Sequence, residues 1–286
     1  MNQMSIHRDG SVEPPTPTPT PTPVLELDRA SVVFPSGPPW RRRRVPAMRE
    51  VTLQVSAGET LGVVGESGSG KTTTAMVALG LRRPTTGVVR FEGASMPRRR
   101  RALAGRMQVV LQHPQWSLDP RMRVGRSVAE PLVVAERLAR RAANTTSGAI
   151  NGSSSGSITD AVAVMLEKVG LDASVAKRHP HELSGGQRQR VAIARALITR
   201  PRFVVFDEAV SALDVSVQAQ ILNLVVDVQA EYGFGALFIS HDLGAVRYVA
   251  HRIAVMRHGC VVETADTETF YRTPEHEYSR QLLEAL

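Results

Sequence analysis

Several groups of residues in this chain have the types and spacing for phosphate chemistry. The first is Gly65 to Thr73, GESGSGKTT, which follows the apolar run Leu61 to Val64 and precedes a helix-like stretch from Ala75 to Leu79. Glycines at 65, 68 and 70 let successive backbone N–H groups turn inward around an anion with no side chain in the way. Glu66, Ser67, Ser69 and Thr73 complete the loop as binding positions, and the helix that follows adds its dipole. Lys71 is placed to reach the outer phosphates as a point charge, and Thr72 offers a hydroxyl to a magnesium ion. Strand, glycine loop and helix in that order read as a phosphate-binding loop rather than a glycine-rich turn that happens to hold a lysine.

The second group is LSGGQRQR, Leu183 to Arg190, where Ser184, Gly185, Gly186 and Gln187 open a long helical pattern running through Leu197. Such a helix start presents free N–H groups, a hydroxyl and a dipole to an anion, although alone it reads equally as a cap after a turn. The third is Asp207-Glu208 at the end of the apolar strand Phe203 to Phe206. Adjacent carboxylates there need not share a role: Asp207 can hold magnesium through water while Glu208 polarises an attacking water as general base. Two single residues stand just past strand ends, where open α/β sheets bind ligands. Gln112, after Met107 to Leu111, has an amide suited to a metal ion or an attacking water, or is an ordinary loop residue. His241, after Ala236 to Ile239 and beside Asp242, is either catalytic or structural.

The elements that must position these groups alternate between strand-like and helix-like patterns over 286 residues, enough to bury a sizeable core. Aromatic residues make up only 5%, so packing rests on Val, Leu, Ile and Ala. Val24 to Phe34, Val51 to Val55 and Gly87 to Phe91 read as strands, with a loop carrying Arg41 to Arg44 between the first two. Phe34 leaves the first strand with its ring either packed inward or free to stack on a base, and Trp40 is a second candidate for stacking. Arg98 to Arg101 open an amphipathic helix; Ser127 to Leu138, Ala161 to Val169 and Val217 to Val228 are helical. Ile253 to Met256 and Cys260 to Glu263 form a hairpin around His258-Gly259 that places Cys260 in the core. Met1 to Pro23, ending in alternating Thr-Pro, reads as a disordered tail, and 144–157, almost wholly Asn, Thr, Gly and Ser, as a flexible insertion. With Cys260 the single cysteine, an intrachain disulfide is excluded. A net charge of +8, almost all of it arginine, fits an anionic ligand, nucleic acid or a membrane surface without choosing among them. No apolar run approaches the roughly 20 residues of a membrane span, so the chain is expected not to cross a bilayer.

Together these residues resemble the ATP-binding cassette family. Gly65 to Thr73 matches its Walker A loop, Leu183 to Gln187 its LSGGQ signature, and Phe203 to Asp207 with Glu208 its Walker B strand. Gln112 is similar to the Q-loop glutamine, Ser211 to Asp214 to the D-loop, and His241 to the switch histidine; Phe34 falls at the adenine-stacking aromatic position. The match covers Val24 to the end, with LSGGQ separating this family from other P-loop proteins. Within the family, Gln112 to Leu132, Asp207 to Gln220 and the tail Thr273 to Leu283 resemble the oligopeptide, dipeptide and nickel importers. Glu277, where that tail usually carries proline, and the long 144–157 insertion depart from the pattern.

What the resemblance implies is an α/β fold: a RecA-like P-loop core with an antiparallel β subdomain and an inserted helical subdomain at about 113–195. It implies ATP and Mg2+ as cofactors, with Glu208, His241, Gln112 and Lys71 catalytic and Thr72, Gln112 and Asp207 at the metal. Walker A residues, Phe34 and Asp214 would bind nucleotide, and Ser184 to Gln187 would close on it from a second cassette, a paralogue or another copy. Further partners are two membrane permease subunits and, indirectly, an extracytoplasmic binding protein, with this subunit on the cytoplasmic face of the membrane and no nucleic acid expected. The alternative is a soluble cassette ATPase acting on nucleic acid or the ribosome, against which the lack of a second cassette argues. A non-catalytic regulatory cassette is disfavoured by the presence of Lys71, Asp207, Glu208 and His241.

Overall fold

The computed structural model describes residues 22–37, 41, 43–114, 117–144, 155–211 and 213–284. Nearly all of the Thr/Pro tail, Trp40 and most of the 144–157 insertion therefore lie outside the described residues. The strands are β1 (Leu25–Ser36), β2 (Arg43–Val55), β3 (Thr60–Val64), β4 (Thr86–Phe91), β5 (Ala94–Ser95), β6 (Met107–Leu111), β7 (Phe203–Asp207), β8 (Gly235–Ile239), β9 (Arg252–Arg257) and β10 (Cys260–Asp266). The α-helices are α1 (Lys71–Ala78), α2 (Val124–Asn144), α3 (Ser155–Lys168), α4 (Gly185–Leu197), α5 (Val215–Tyr232), α6 (Leu243–Val249), α7 (Thr267–Arg272) and α8 (Glu277–Glu284).

Two sheets result. β10-β9-β3-β8-β7-β6 is parallel except for the antiparallel β9–β10 hairpin, and β2-β1-β4-β5 is antiparallel throughout. β3 and β8 are buried at every position, as expected of parallel strands covered on both faces. Side-chain alternation divides β7 cleanly: Phe203 and Val205 face the core shared with β1, β2, β4 and α1, while Val204 and Phe206 face the core shared with the remaining helices. Helix α1 thus sits between the two sheets, and the loop before it is held at the C-terminal ends of the parallel strands. Helices α2, α3 and α4 pack on one another beside this sheet.

Several local expectations are corrected. β2 begins at Arg43, so Arg43 and Arg44 are strand residues; pairing with β1 extends the strand where local propensity does not. The stretch after Arg98 forms only one 3-10 turn, Arg100–Leu103, because Leu103 is its single buried residue and no apolar stripe supports a longer helix. Helices α2 and α3 run into the polar insertion, to Asn144 and from Ser155. Cys260 is half-buried rather than in the core, since it opens edge strand β10 directly after the turn. That turn is a two-residue one, with φ of 51° at His258 and 82° at Gly259, the paired positive angles that match hairpin twist.

Candidate functional site

Strand β3 ends at Val64, and the loop turns into α1 through φ values of 142° at Gly65 and 107° at Gly70, conformations that strongly favour glycine. A Cβ would lie 2.2 Å from the Met256 carbonyl oxygen at Gly65 and 2.6 Å from the Ala47 carbonyl oxygen at Gly70. The loop is thus pressed against β9 and β2, and the Gly259 N–H of the β9–β10 turn donates to the Ser69 carbonyl at 2.9 Å. Of the three loop glycines, only Gly68, also left-handed, would have a Cβ that meets nothing within 4 Å.

Gly68 borders a cavity of about 410 Å³, lined with it by Ser67, Gly70 and Lys71 to Thr73, by Ala47 of β2, and by Glu208 and His241 past β7 and β8. Lys71, 7% exposed, donates from Nζ to the carbonyls of Gly65 (2.7 Å) and Glu66 (2.8 Å). Its ammonium sits below the usual lysine range because burial penalises the charge, an effect opposed by Glu208, Asp207 and Glu66. Asp207 is displaced the other way. Burial, then the charge of Glu208, raises its carboxyl above the ordinary range, with Lys71 opposing. The Glu208 carboxylate and the Lys71 ammonium line an open, glycine-rich cavity with room for a phosphate chain and a cation, and Asp207 precedes Glu208 behind that wall.

Parallel pairing aligns the ends of the three strands that carry the polar groups: Asp207 pairs with Leu111 of β6 and with Ile239 of β8. Glu208 follows at a left-handed φ of 51°, a conformation that costs a non-glycine residue about 1–2 kcal/mol, and its N–H donates to Ile239 O at 2.9 Å. That turn points its carboxylate at the cavity, with Oε1 3.6 Å from His241 Nδ1. Gln112 Nε2 donates to Ser211 Oγ at 3.0 Å, and Ser211 Oγ donates to Glu208 O at 3.0 Å. Ser211 therefore joins the Gln112 loop to the carboxylate turn, a link that no local pattern announces. Thr72, Asp207 and Gln112 supply hard oxygen donors of the kind magnesium takes. Among the described residues no group of three His, Cys, Asp or Glu is placed to hold a metal ion, and a magnesium ion shared with nucleotide phosphates needs none.

The other expected site residues lie away from this cavity wall. Gly65, Glu66 and Ser69 form the back of the loop. Ser184 caps α4: its Oγ accepts the Gln187 N–H at 3.3 Å, while Gln187 Oε1 accepts the Ser184 N–H at 3.0 Å, a reciprocal capping box. Ser184 remains exposed, with Gly185 and Gly186 half-buried behind it. Asp214 is exposed ahead of α5 and makes no side-chain capping bond. Phe34 is half-buried and packs on the core shared by the two sheets, with the Arg82 guanidinium 4.3 Å from its ring centre. Asp242 caps α6 through Oδ1 to the Ala245 N–H at 3.0 Å and accepts from Gln218 Nε2 at 2.5 Å. Ala47 and the tail residue Tyr278, which reaches the loop from α8, are contacts that sequence reasoning missed.

A glycine loop between a parallel strand and a helix, facing the carboxylate of Glu208 across an open cavity, defines a P-loop nucleoside-triphosphate-binding protein. The profile of the ABC transporter family matches residues 48–211. The chain belongs to that family, and its fold is that of an ABC ATPase cassette. It is 46% identical over 245 residues to a Brucella abortus protein named for peptide import ATP-binding, covering 84% of this chain and 69% of the relative. With a probable peptide ABC transporter ATP-binding protein of Sinorhizobium fredii it shares 43% over 269 residues, 92% and 72% of the two chains. With the oligopeptide transport ATP-binding protein OppD of Mycobacterium tuberculosis it shares 44% over 246 residues, but spans only 38% of that longer protein. Among solved structures, the dimeric cassette MJ0796 in a post-hydrolysis state with ADP and Pi superposes with a TM-score of 0.72 at 24% identity, covering 85% of this chain and 98% of the other. CbiO1 of Clostridium perfringens, part of the ABC transporter complex cbiONQ, gives 0.72 at 22%, covering 88% and 92%. At those identities the likeness establishes the fold.

Proposed function

We propose that this chain is the ATP-hydrolysing subunit of an importer for peptides, working with two membrane permease subunits and a second cassette on the cytoplasmic face of the membrane. The observation that carries this reading is the division of the site within one chain. One wall of the cavity holds Lys71, the glycine loop, Glu208 and His241, while the second anion-suited helix start, at Ser184, is exposed and forms no part of that wall. Two such chains placed head to tail bring the Ser184 end of one onto the cavity of the other, so that each nucleotide is held from both sides.

In that arrangement the loop N–H groups and Lys71 hold the phosphate chain, and Glu208 orients a water for in-line attack on the γ-phosphate. His241, beside Glu208, detects the same phosphate, and Ser184 to Gly186 of the partner cassette complete the anion cradle. Thr72, Asp207 and Gln112 would hold a magnesium ion, which would supply charge neutralisation on the phosphates. Gln112 and Ser211 connect the cavity to the residues after β6, from which the helices that meet the permeases start. Among the described residues no helix is long and apolar enough to cross a membrane, which fits docking on permeases. Relatives named for peptide import, glutathione import and peptidoglycan transport support small peptide-like cargo; no name among them supports a role on nucleic acid.

The test is to express the chain with the permease genes of its host, purify the complex through an affinity tag on this subunit, and measure uptake of labelled di- and oligopeptides into proteoliposomes. ATP-dependent uptake that disappears in Glu208→Gln is the expected result. Purification free of any integral-membrane protein, with retention on nucleic acid lost at high salt, overturns the reading.

A further inference from the structure

The C-terminal segment reaches the phosphate loop through one side chain. Tyr278 of α8 is 2% exposed, and its hydroxyl accepts the Glu66 N–H at 3.0 Å. The Arg257 guanidinium covers its ring, 4.6 Å from the centre. The turn before α8 is clamped by buried Glu263, whose Oε1 and Oε2 accept the N–H groups of Glu275 (2.9 Å) and His276 (3.0 Å).

The Glu66 N–H and the Gly65 carbonyl belong to the same peptide unit. That carbonyl accepts Lys71 Nζ at 2.7 Å, and in a trans peptide the carbonyl and the N–H point in opposite directions. One peptide plane is therefore gripped at one end by Tyr278 and at the other by Lys71. A peptide that follows a glycine at φ 142° has little intrinsic preference for its orientation, so the hydroxyl supplies what the local chain lacks.

We propose that Tyr278 is a positioning residue for nucleotide binding: its hydroxyl fixes the Gly65–Glu66 peptide so that the Gly65 carbonyl holds the Lys71 ammonium at the cavity. The proposal rests on the cavity being the ATP site. It couples the C-terminal segment to the phosphate loop, and by linkage nucleotide binding tightens the docking of α8 in return.

Tyr278→Phe keeps the ring against Arg257 and removes the protein partner that holds the Glu66 N–H. In the full-length chain its Kd for a fluorescent ATP analogue with Mg2+ is expected to rise about tenfold, the order of effect of one lost hydrogen bond at a partly buried site. In the permease complex, KM for ATP rises correspondingly while kcat stays near the parent value. Glu263→Gln weakens the clamp without removing the hydroxyl and serves as the comparator for simple destabilisation. A Tyr278→Phe loss of affinity well beyond that of Glu263→Gln at equal loss of Tm supports the proposal. Parent-like affinity in Tyr278→Phe, or a loss no greater than the comparator's at equal Tm, overturns it while leaving the ATP reading intact. An unsubstituted chain that binds no nucleotide removes both.

Discussion

His241 Nδ1 stands 3.6 Å from Glu208 Oε1, although the two residues follow different strands. The β7–β8 pairing places Asp207 beside Ile239, so the residues just beyond both strands open into one cavity. Glu208→Gln keeps the side-chain shape and removes the base. In the permease-bound complex, turnover is expected to fall by about a hundredfold or more, with nucleotide affinity unchanged. Steady-state ATPase at the parent rate would refute the role given to Glu208.

Ser184 serves α4 as its cap, and the proposed head-to-tail pair gives it a second duty toward the partner's nucleotide. Two substitutions separate these. Ser184→Ala removes the cap, costing about 1 kcal/mol and, in a chain of this size, about 2–4 °C of Tm. Ser184→Asp is an equally good cap but carries a negative charge toward a γ-phosphate. Its Tm should match the parent's while ATPase in the assembled complex collapses. Full turnover in Ser184→Asp removes the two-sided site.

The raised carboxyl of Asp207 has a consequence for stability. Burial and the neighbouring Glu208 make the folded state hold that proton more tightly than the unfolded chain, whose value lies near 3.8. The charge therefore costs nothing below that value, and the cost grows as pH rises through the raised folded value and persists at neutrality. Asp207→Asn should raise the Tm of the nucleotide-free chain at pH 7, with the gain fading in acid, and should abolish turnover. Thermal melts across pH 4–8 check it; a lower Tm at pH 7 contradicts the assignment.

Two glycines of one loop should respond differently to alanine. Both have left-handed φ, but a Cβ at Gly65 meets the Met256 carbonyl at 2.2 Å, whereas at Gly68 it meets nothing within 4 Å. Gly68→Ala should cost only the backbone strain of about 1–2 kcal/mol, with Gly65→Ala losing clearly more stability because β9 or the loop must shift. Chemical denaturation of the two variants, compared at equal m-value, checks the order. Equal losses would mean that the loop does not press on β9.

The phosphate loop, the carboxylate pair and the strands that carry them were legible because each is a local pattern: glycine spacing, adjacent acids, an unbroken apolar run. β3, β7 and β8 read correctly since a strand buried on both faces must be apolar throughout. The early part of β2 was not legible, because Arg43 to Pro46 becomes strand only through pairing with Ser36 to Val33. The same holds for the stretch after Arg98, where charge suggested a helix face but only Leu103 found a core to enter.

By itself the sequence determined which chemical groups are present and the order in which the chain delivers them, since motif spacing is covalent. Tertiary structure alone decided which of them meet. Strand order brings Glu208 to His241 and Ser211 to Gln112, and the packing of α8 brings Tyr278 from the far end of the chain to Glu66. The reason is physical: burial and hydrogen-bond pairing depend on distance in space, and a folded sheet sets that distance without regard to separation along the chain.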